Sequence, residues 1–332
     1  MTSIETEKIT IANEIFLNLD EENVRVPTSY GDILIQIYGE RTKHPFVTFH
    51  DIGLNAEDSF RTFLQVFTPI ELAQEFCFYN INAPGQEKNA EQISSSAHYP
   101  TMKNLADIVN EIVRHFEFKS FVGLGVGAGA YVILEYAVKH QSKLDGLILI
   151  NSIAKAPSWY EWGREKLNVR DLHQHGITDS VVDFLIWHNF GTHLEKCNSD
   201  LVQGYREYFE QLTNPNNLAA FLESYLHRKS IEFPYGPCGH GNIFIVPILQ
   251  IVGERIYSLT DVEYISAKLD IDKNELVRLA DCGGRILDER PDKVIEIMML
   301  FLQGLGFFPS TNVHDVLLQE TGENNENYLK LK

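Results

Sequence analysis

Two periods of apolar residues divide the chain. Short apolar runs bounded by turn residues read as strands: Val24 to Val26 and Ile33 to Tyr38 as a hairpin, then Pro45–Phe49, Phe76–Ile81, Phe121–Leu124, Asp145–Ile150, Val246–Val252 and Glu275–Ala280. Between them lie runs with helical spacing. Leu105, Ile108, Val109, Ile112, Val113 and Phe116 recur on one face of a helix that Thr101 can cap. Tyr131, Ile133, Leu134, Ala137 and Val138 do the same after the run Phe121–Leu124. After residue 152 the alternation stops, and four helical stretches run from Pro157 to Arg228. The third carries Leu201, Val202, Tyr205, Tyr208, Phe209 and Leu212; the fourth opens with Asn214 as cap and Pro215 at the first turn. A capping box at Thr260 and Glu263 starts a later helix, and Pro291 opens the last one.

Strands alternating with helices imply a mostly parallel, doubly wound sheet covered on both faces. The pattern predicts an α/β core over residues 24–152 and 236–308, a helical insertion over 153–235, a flexible arm over 1–23 and a disordered polar tail over 309–332.

The most informative stretch runs from Phe121 to Ala130, with glycine at 123, 125, 127 and 129. A strand that reverses into a helix so quickly needs backbone angles that glycine adopts cheaply. This is the layout of the G-x-S-x-G nucleophile elbow of the α/β-hydrolase fold, and it puts Gly127 where the serine belongs. The acid of such a triad follows the next-to-last strand, at Ile256, with Glu254 nearby. The histidine slot falls at Gly284, ahead of Asp288 and Pro291. None of the three positions carries triad chemistry, so no catalytic residue is assigned. A hairpin, strand–helix units, a helical cap insertion and two further strand–helix units also follow the α/β-hydrolase order.

Composition narrows the class of partner. The formal charge of −18 over 332 residues disfavours nucleic acid and anionic membrane surfaces. No apolar run reaches the ~18 residues of a membrane span. The acidic start does not resemble a signal or transit peptide, and four scattered cysteines without a C-x-x-C suit a reducing compartment, so a cytoplasmic protein is expected.

Five segments in order resemble the N-myc downstream-regulated gene (NDRG) family: His50 to Asn55, Asn82 to Gln86, Tyr99 to Ala106, Gly125 to Tyr131 and Asp281 to Gly284. The stretch Gly146 to Asn151 and the pair Trp159 and Trp162 also fit. The family's third motif begins with aspartate where this chain has Asn82. The resemblance covers roughly residues 25 to 307. It implies a non-catalytic branch of the α/β-hydrolase fold, without cofactor, that acts through signalling or trafficking proteins in growth and differentiation control or stress response.

The same residues admit other readings. Gly125, Gly127 and Ala130 also satisfy a dinucleotide fingerprint, but the run lies far into the chain and the next strand ends in Asn151 rather than an acid. His50 and Asp51, with Asn82, Val126 and Cys282, are the candidate pocket; His50 and Asp51 read either as a polar pocket floor or as a loop-locking pair. Cys282 could be a displaced nucleophile with His50 as base, against the commoner buried thiol. His173, His175, His188 and His193 lack metal-ligand spacing and read as surface or partly packed residues. The helix from Thr178 to Phe190 is apolar almost all round, which implies either full burial or an exposed patch. Val181, Phe184, Leu185 and Trp187 are its candidate partner surface. In the tail, Ser310, Thr311 and Thr321 are candidate phosphorylation sites.

Overall fold

The computed structural model describes residues 21–64, 70–94, 98–234, 244–257 and 259–309. Eight strands form one sheet: β1 (Glu21–Thr28), β2 (Gly31–Tyr38), β3 (His44–Phe49), β4 (Phe76–Ile81), β5 (Phe121–Val126), β6 (Leu144–Ile150), β7 (Ile248–Gly253) and β8 (Asn274–Leu279). Their order is β1-β2-β4-β3-β5-β6-β7-β8. β2 pairs antiparallel with β1 and β4, and every later pairing is parallel. The expected arm is shorter than residues 1–23, because Glu21, Glu22 and Asn23 already pair with Tyr38, Ile37 and Gln36. Residues 1–20 and 310–332, with the arm's remainder and the tail hydroxyls, lie outside the described residues.

β4, β5 and β7 are buried along their whole length, as parallel strands covered on both faces must be. One face packs on α3 (Met102–His115) and α4 (Ala128–Lys139). The other packs on residues of α1 (Ala56–Thr62), α2 (Ile70–Glu75) and the last helix, Pro291–Gly304. Thr101 caps α3 in a reciprocal box with Asn104. α1 and α2 escape the apolar-period reading. Polar side chains define α1 instead: Asn55 accepts from the Asp58 N–H, and Asn82 accepts from the Ala56 N–H at 3.0 Å.

Four helices occupy the insertion: α5 (Trp159–His175), α6 (Asp179–Phe190), α7 (Ser199–Glu210) and α8 (Pro215–Leu226). Ser158 and Thr178 cap α5 and α6. Two expected caps differ. The Asn214 side chain donates to the Ala90 carbonyl instead of capping α8. The helix after β7, α9 (Leu259–Ser266), already contains Thr260, so that residue is not its cap.

α6 is apolar all round because it is covered all round. Val181, Phe184 and Leu185 are buried, Trp187 is partly buried, and Asp183 is the one residue between Val181 and Phe190 that is exposed. The expected partner surface on this helix is therefore not an exposed patch.

A buried side chain of α8 makes three of the hydrogen bonds that fasten it to the loop after β4. Asn217, 1 % exposed, accepts from the Ile93 N–H and donates to the carbonyls of Gly85 and Glu91, each at 2.9 Å. Its own carbonyl accepts from Gln86 Nε2 at 2.8 Å. Asn217→Ala removes all three of these side-chain bonds and leaves the backbone groups of Gly85, Glu91 and Ile93 without this partner. We expect a loss of about 2–4 kcal/mol in denaturant unfolding, with the m-value unchanged.

Candidate functional site at the glycine elbow

Gly127 ends the turn from β5 into α4 with φ 53° and ψ −113°, angles that side chains resist. Gly125 and Gly129 leave no room either. A β-carbon on Gly125 would meet Ala130 N at 2.6 Å, and one on Gly129 would run into the carbonyl of Phe49. The strand–turn–helix thus has the geometry of an elbow, and Gly127 sits at its tip.

The space in front of Gly127 is taken by the carboxylate of Asp51, from the loop after β3. A β-carbon on Gly127 would overlap both carboxylate oxygens. Asp51 Oδ1 accepts from the backbone N–H groups of Ile52 and Ala128, both at 2.8 Å. In hydrolases of this layout, the N–H after the nucleophile and an N–H from the β3 loop make up the oxyanion hole. Here both point at a carboxylate of the chain itself. Gly127 has no side chain with which to cap α4, and Asp51 supplies that cap from 77 residues upstream.

The same oxygen receives a third donor from the insertion. His188 Nε2, on α6, lies 3.2 Å from Asp51 Oδ1, and His188 Nδ1 meets the hydroxyl of Tyr257 at 3.2 Å. Burial opposes the ionisation of Asp51. The His188 charge and hydrogen bond, with the Ala128 and Ile52 N–H groups, outweigh it and hold the carboxyl below its usual range. Burial likewise lowers the basicity of His188, but Asp51 overcomes this and raises it. His188 is therefore no surface histidine; it is 3 % exposed and paired across the body–insertion boundary. His173, His175 and His193 are exposed.

His50 faces the other way. Its Nε2 accepts from the Ala83 N–H at 2.9 Å, so Nδ1 carries the proton and donates to the Asp51 carbonyl at 2.8 Å. Burial pushes its pKa down to about 4 and keeps it neutral. Both ring nitrogens are committed to loop geometry. Asn82 is similarly spent, bridging the Ala56 N–H and the Leu34 carbonyl. Val126 is a buried apolar residue at the end of β5. Cys282 is not a nucleophile beside His50. It is fully buried, its charged neighbours are Glu289, Arg255 and Arg290, and burial pushes its thiol up to about 12.

The other two triad slots differ in kind. Glu254 is exposed and Ile256 is half-buried. At Gly283 and Gly284, a β-carbon would strike the carbonyls of Phe190 and Asn189, the last residues of α6. Gly191, just past that helix, is equally tight against the Arg255 carbonyl. The end of α6 thus occupies the place where a side chain at 284 would stand. Asn151, at φ 49°, ties the corner together: its side chain donates to the Gly284 carbonyl at 2.7 Å and accepts from the Gly253 N–H at 3.2 Å.

Beside this cluster Tyr257 stacks on Trp187 at 4.2 Å, and the Arg164 guanidinium lies 3.4 Å from the centre of the Trp187 ring. Glu165, on α5, is fully buried, and neither carboxylate oxygen has a hydrogen-bond partner among the described residues. Burial, then the neighbouring Glu161, push it up to about 7. Among the described residues no group of three or more metal-ligating side chains converges, and no helix is long and apolar enough to cross a membrane.

Two expectations follow. Gly127→Val forces a branched side chain onto Asp51 at a positive φ, so melting should reveal a loss of about 3 kcal/mol or more. Glu165→Gln should stabilise the protein in a pH-dependent way. The folded carboxyl titrates near 7 and the unfolded one near 4.5, so native ionisation costs stability that accumulates as pH rises between those values. The variant should match the wild type near pH 4.5 and exceed it by up to about 3 kcal/mol above pH 7, read from paired urea titrations.

Residues 23–309 match the model of the Ndr family. The chain is 33% identical over 299 residues to protein NDRG3 of Xenopus tropicalis, covering 89% of this chain and 76% of that protein. It is 32% identical over 289 residues to protein NDRG2 of Homo sapiens, covering 86% and 75%. Solved α/β-hydrolases share its fold. A thermophilic esterase from Thermogutta terrifontis, solved with malate bound, superposes with a TM-score of 0.68 at 18% identity, over 86% of this chain and 99% of that one. The 2-hydroxy-6-oxo-6-phenylhexa-2,4-dienoate hydrolase of a Rhodococcus strain gives 0.65 at 17% identity, over 86% and 100%.

Proposed function

The chain belongs to the Ndr family, and from that premise we propose that it is a non-enzymatic protein that uses an α/β-hydrolase fold as a scaffold for protein partners. One observation carries the reading: a buried carboxylate of the chain itself lies where a nucleophile and an oxyanion would have to be. Acyl transfer needs an activated nucleophile and free donors for the developing negative charge. At this elbow Gly127 offers no nucleophile, and the donors already serve an anion. His188 is held as the partner of Asp51, and the hydroxyl at its other nitrogen is that of Tyr257, whose ionisation burial opposes. The settings in which such a scaffold would act are the cytoplasm and pathways of signalling, growth and differentiation control or stress response. They rest on the family resemblance, not on the site.

The reading is tested in two ways. Purified protein should hydrolyse activated esters no faster than a heat-denatured control. Gly127→Ser should add nothing, because triad members act as a unit and the new hydroxyl would meet Asp51 rather than substrate. Turnover abolished by His188→Gln would refute the reading. Proximity labelling with the tagged full chain should recover a reproducible set of proteins, and should recover it equally with a Gly127→Ala variant confirmed as folded.

A further inference from the structure

The carboxylate of Asp51 is bound the way a ligand is bound. Three donors from three separate parts of the chain converge on one of its oxygens: Ile52 N–H and Ala128 N–H at 2.8 Å, and His188 Nε2 at 3.2 Å. The Ala128 N–H is the first of α4, a helix of 12 residues whose own cap position is a glycine without a capping side chain. The other oxygen rests against the bare backbone of Gly127. Backbone donors at a helix start, an imidazole and a wall with no side chain together suit a small planar anion. The pocket is also not sealed. The Asp51 side chain keeps 10% of its surface accessible, whereas His188 keeps 2%.

We propose that this elbow is a carboxylate-binding site that the protein fills with its own Asp51, and that it takes a free small monocarboxylate once that side chain is cut back. The two backbone donors survive the removal of Asp51, and His188 can still donate from Nε2 as a neutral imidazole, its basicity no longer raised by Asp51. The tethered carboxylate competes as an intramolecular ligand, whose effective concentration for short links is in the millimolar range or above. Free carboxylates at low millimolar levels therefore do not enter the native protein. The inference shares its location with the non-catalytic reading but does not depend on it. Esterase turnover would refute that reading and leave the anion site to be decided by its own experiment.

The experiment is a thermal-melt titration of the full chain at pH 6 with sodium formate, matched in ionic strength with sodium chloride. Wild type should respond to the two salts alike. Asp51→Ala should melt lower in chloride and recover part of the loss in formate. The recovery should grow with the logarithm of formate concentration above the dissociation constant, as ligand linkage requires. Acetate should act more weakly and bulky benzoate not at all. Asp51→Asn, whose amide oxygen still fills the hole, should show no formate effect. Direct binding of ¹³C-formate to Asp51→Ala, seen as line broadening that Asp51→Asn lacks, should agree. If Asp51→Ala does not fold in chloride, refolding it in formate should raise the yield over chloride; the same titration on Asp51→Ser then repeats the test in a variant that retains a small polar group. The proposal is overturned if the folded variants answer formate and chloride equally, if neither variant can be folded with formate present, or if Asp51→Asn responds as strongly as Asp51→Ala.

Discussion

A buried carboxylate is costly unless hydrogen bonds and an opposite charge replace the water it loses. Asp51 obtains both, and the surrounding structure is arranged to supply them. Its partners come from its own loop, from the start of α4 and from the last turn of α6, so one oxygen atom joins the loop after β3, the elbow helix and the insertion. The requirement is mutual. Without Asp51, His188 is a buried imidazole that has lost its hydrogen-bonded counter-charge, and α4 begins on an uncapped N–H. Without a glycine at 127, the carboxylate has nowhere to lie.

The rest of the body–insertion boundary follows the same logic of backbone approaching backbone. Gly283 and Gly284 receive the carbonyls that end α6, Gly191 receives the Arg255 carbonyl, and Gly53 leaves space for Leu185. The Arg255 guanidinium, nearly buried, pairs with Glu289 at 2.7 Å and braces the loop after β7. Asn217 fixes the far end of the insertion to the loop after β4. Contacts at both ends hold the four helices in one placement over the elbow.

Much of this was legible in the chain, and the boundary of legibility is physical. Strand and helix order followed from apolar period, since each element had to bury a face or a stripe. The glycines of the elbow announced a turn that admits no side chain. α1 escapes the apolar period because its start rests on Asn55 and Asn82 rather than on a recurring apolar stripe, and α2, at six residues, is too short to show one. The centre of the site was missed for a different reason. Asp51 and His188 are 137 residues apart, and no local rule pairs them. A signal did exist: His188 and Asn189 interrupt an otherwise apolar helix. Polar residues enclosed in such a helix need partners, and here they find Asp51, Tyr257 and the carbonyls of Ile52 and Leu185. The helix's all-round apolar character fits either core or contact surface, and its burial everywhere between Val181 and Phe190 except at Asp183 and, in part, Trp187 favours core.

The two glycines beneath the end of α6 make sequence change here depend on its order. A side chain at 284 collides with α6 while that helix stays in place, and a side chain at 127 collides with Asp51 while that carboxylate stays. Moving the helix first strands His188; removing Asp51 first leaves two backbone donors unpaired. Each single step toward a conventional triad lowers stability before any chemistry is gained. The substitutions are therefore strongly epistatic, and the scaffold occupies a position in sequence space from which one-residue paths lead downhill in stability.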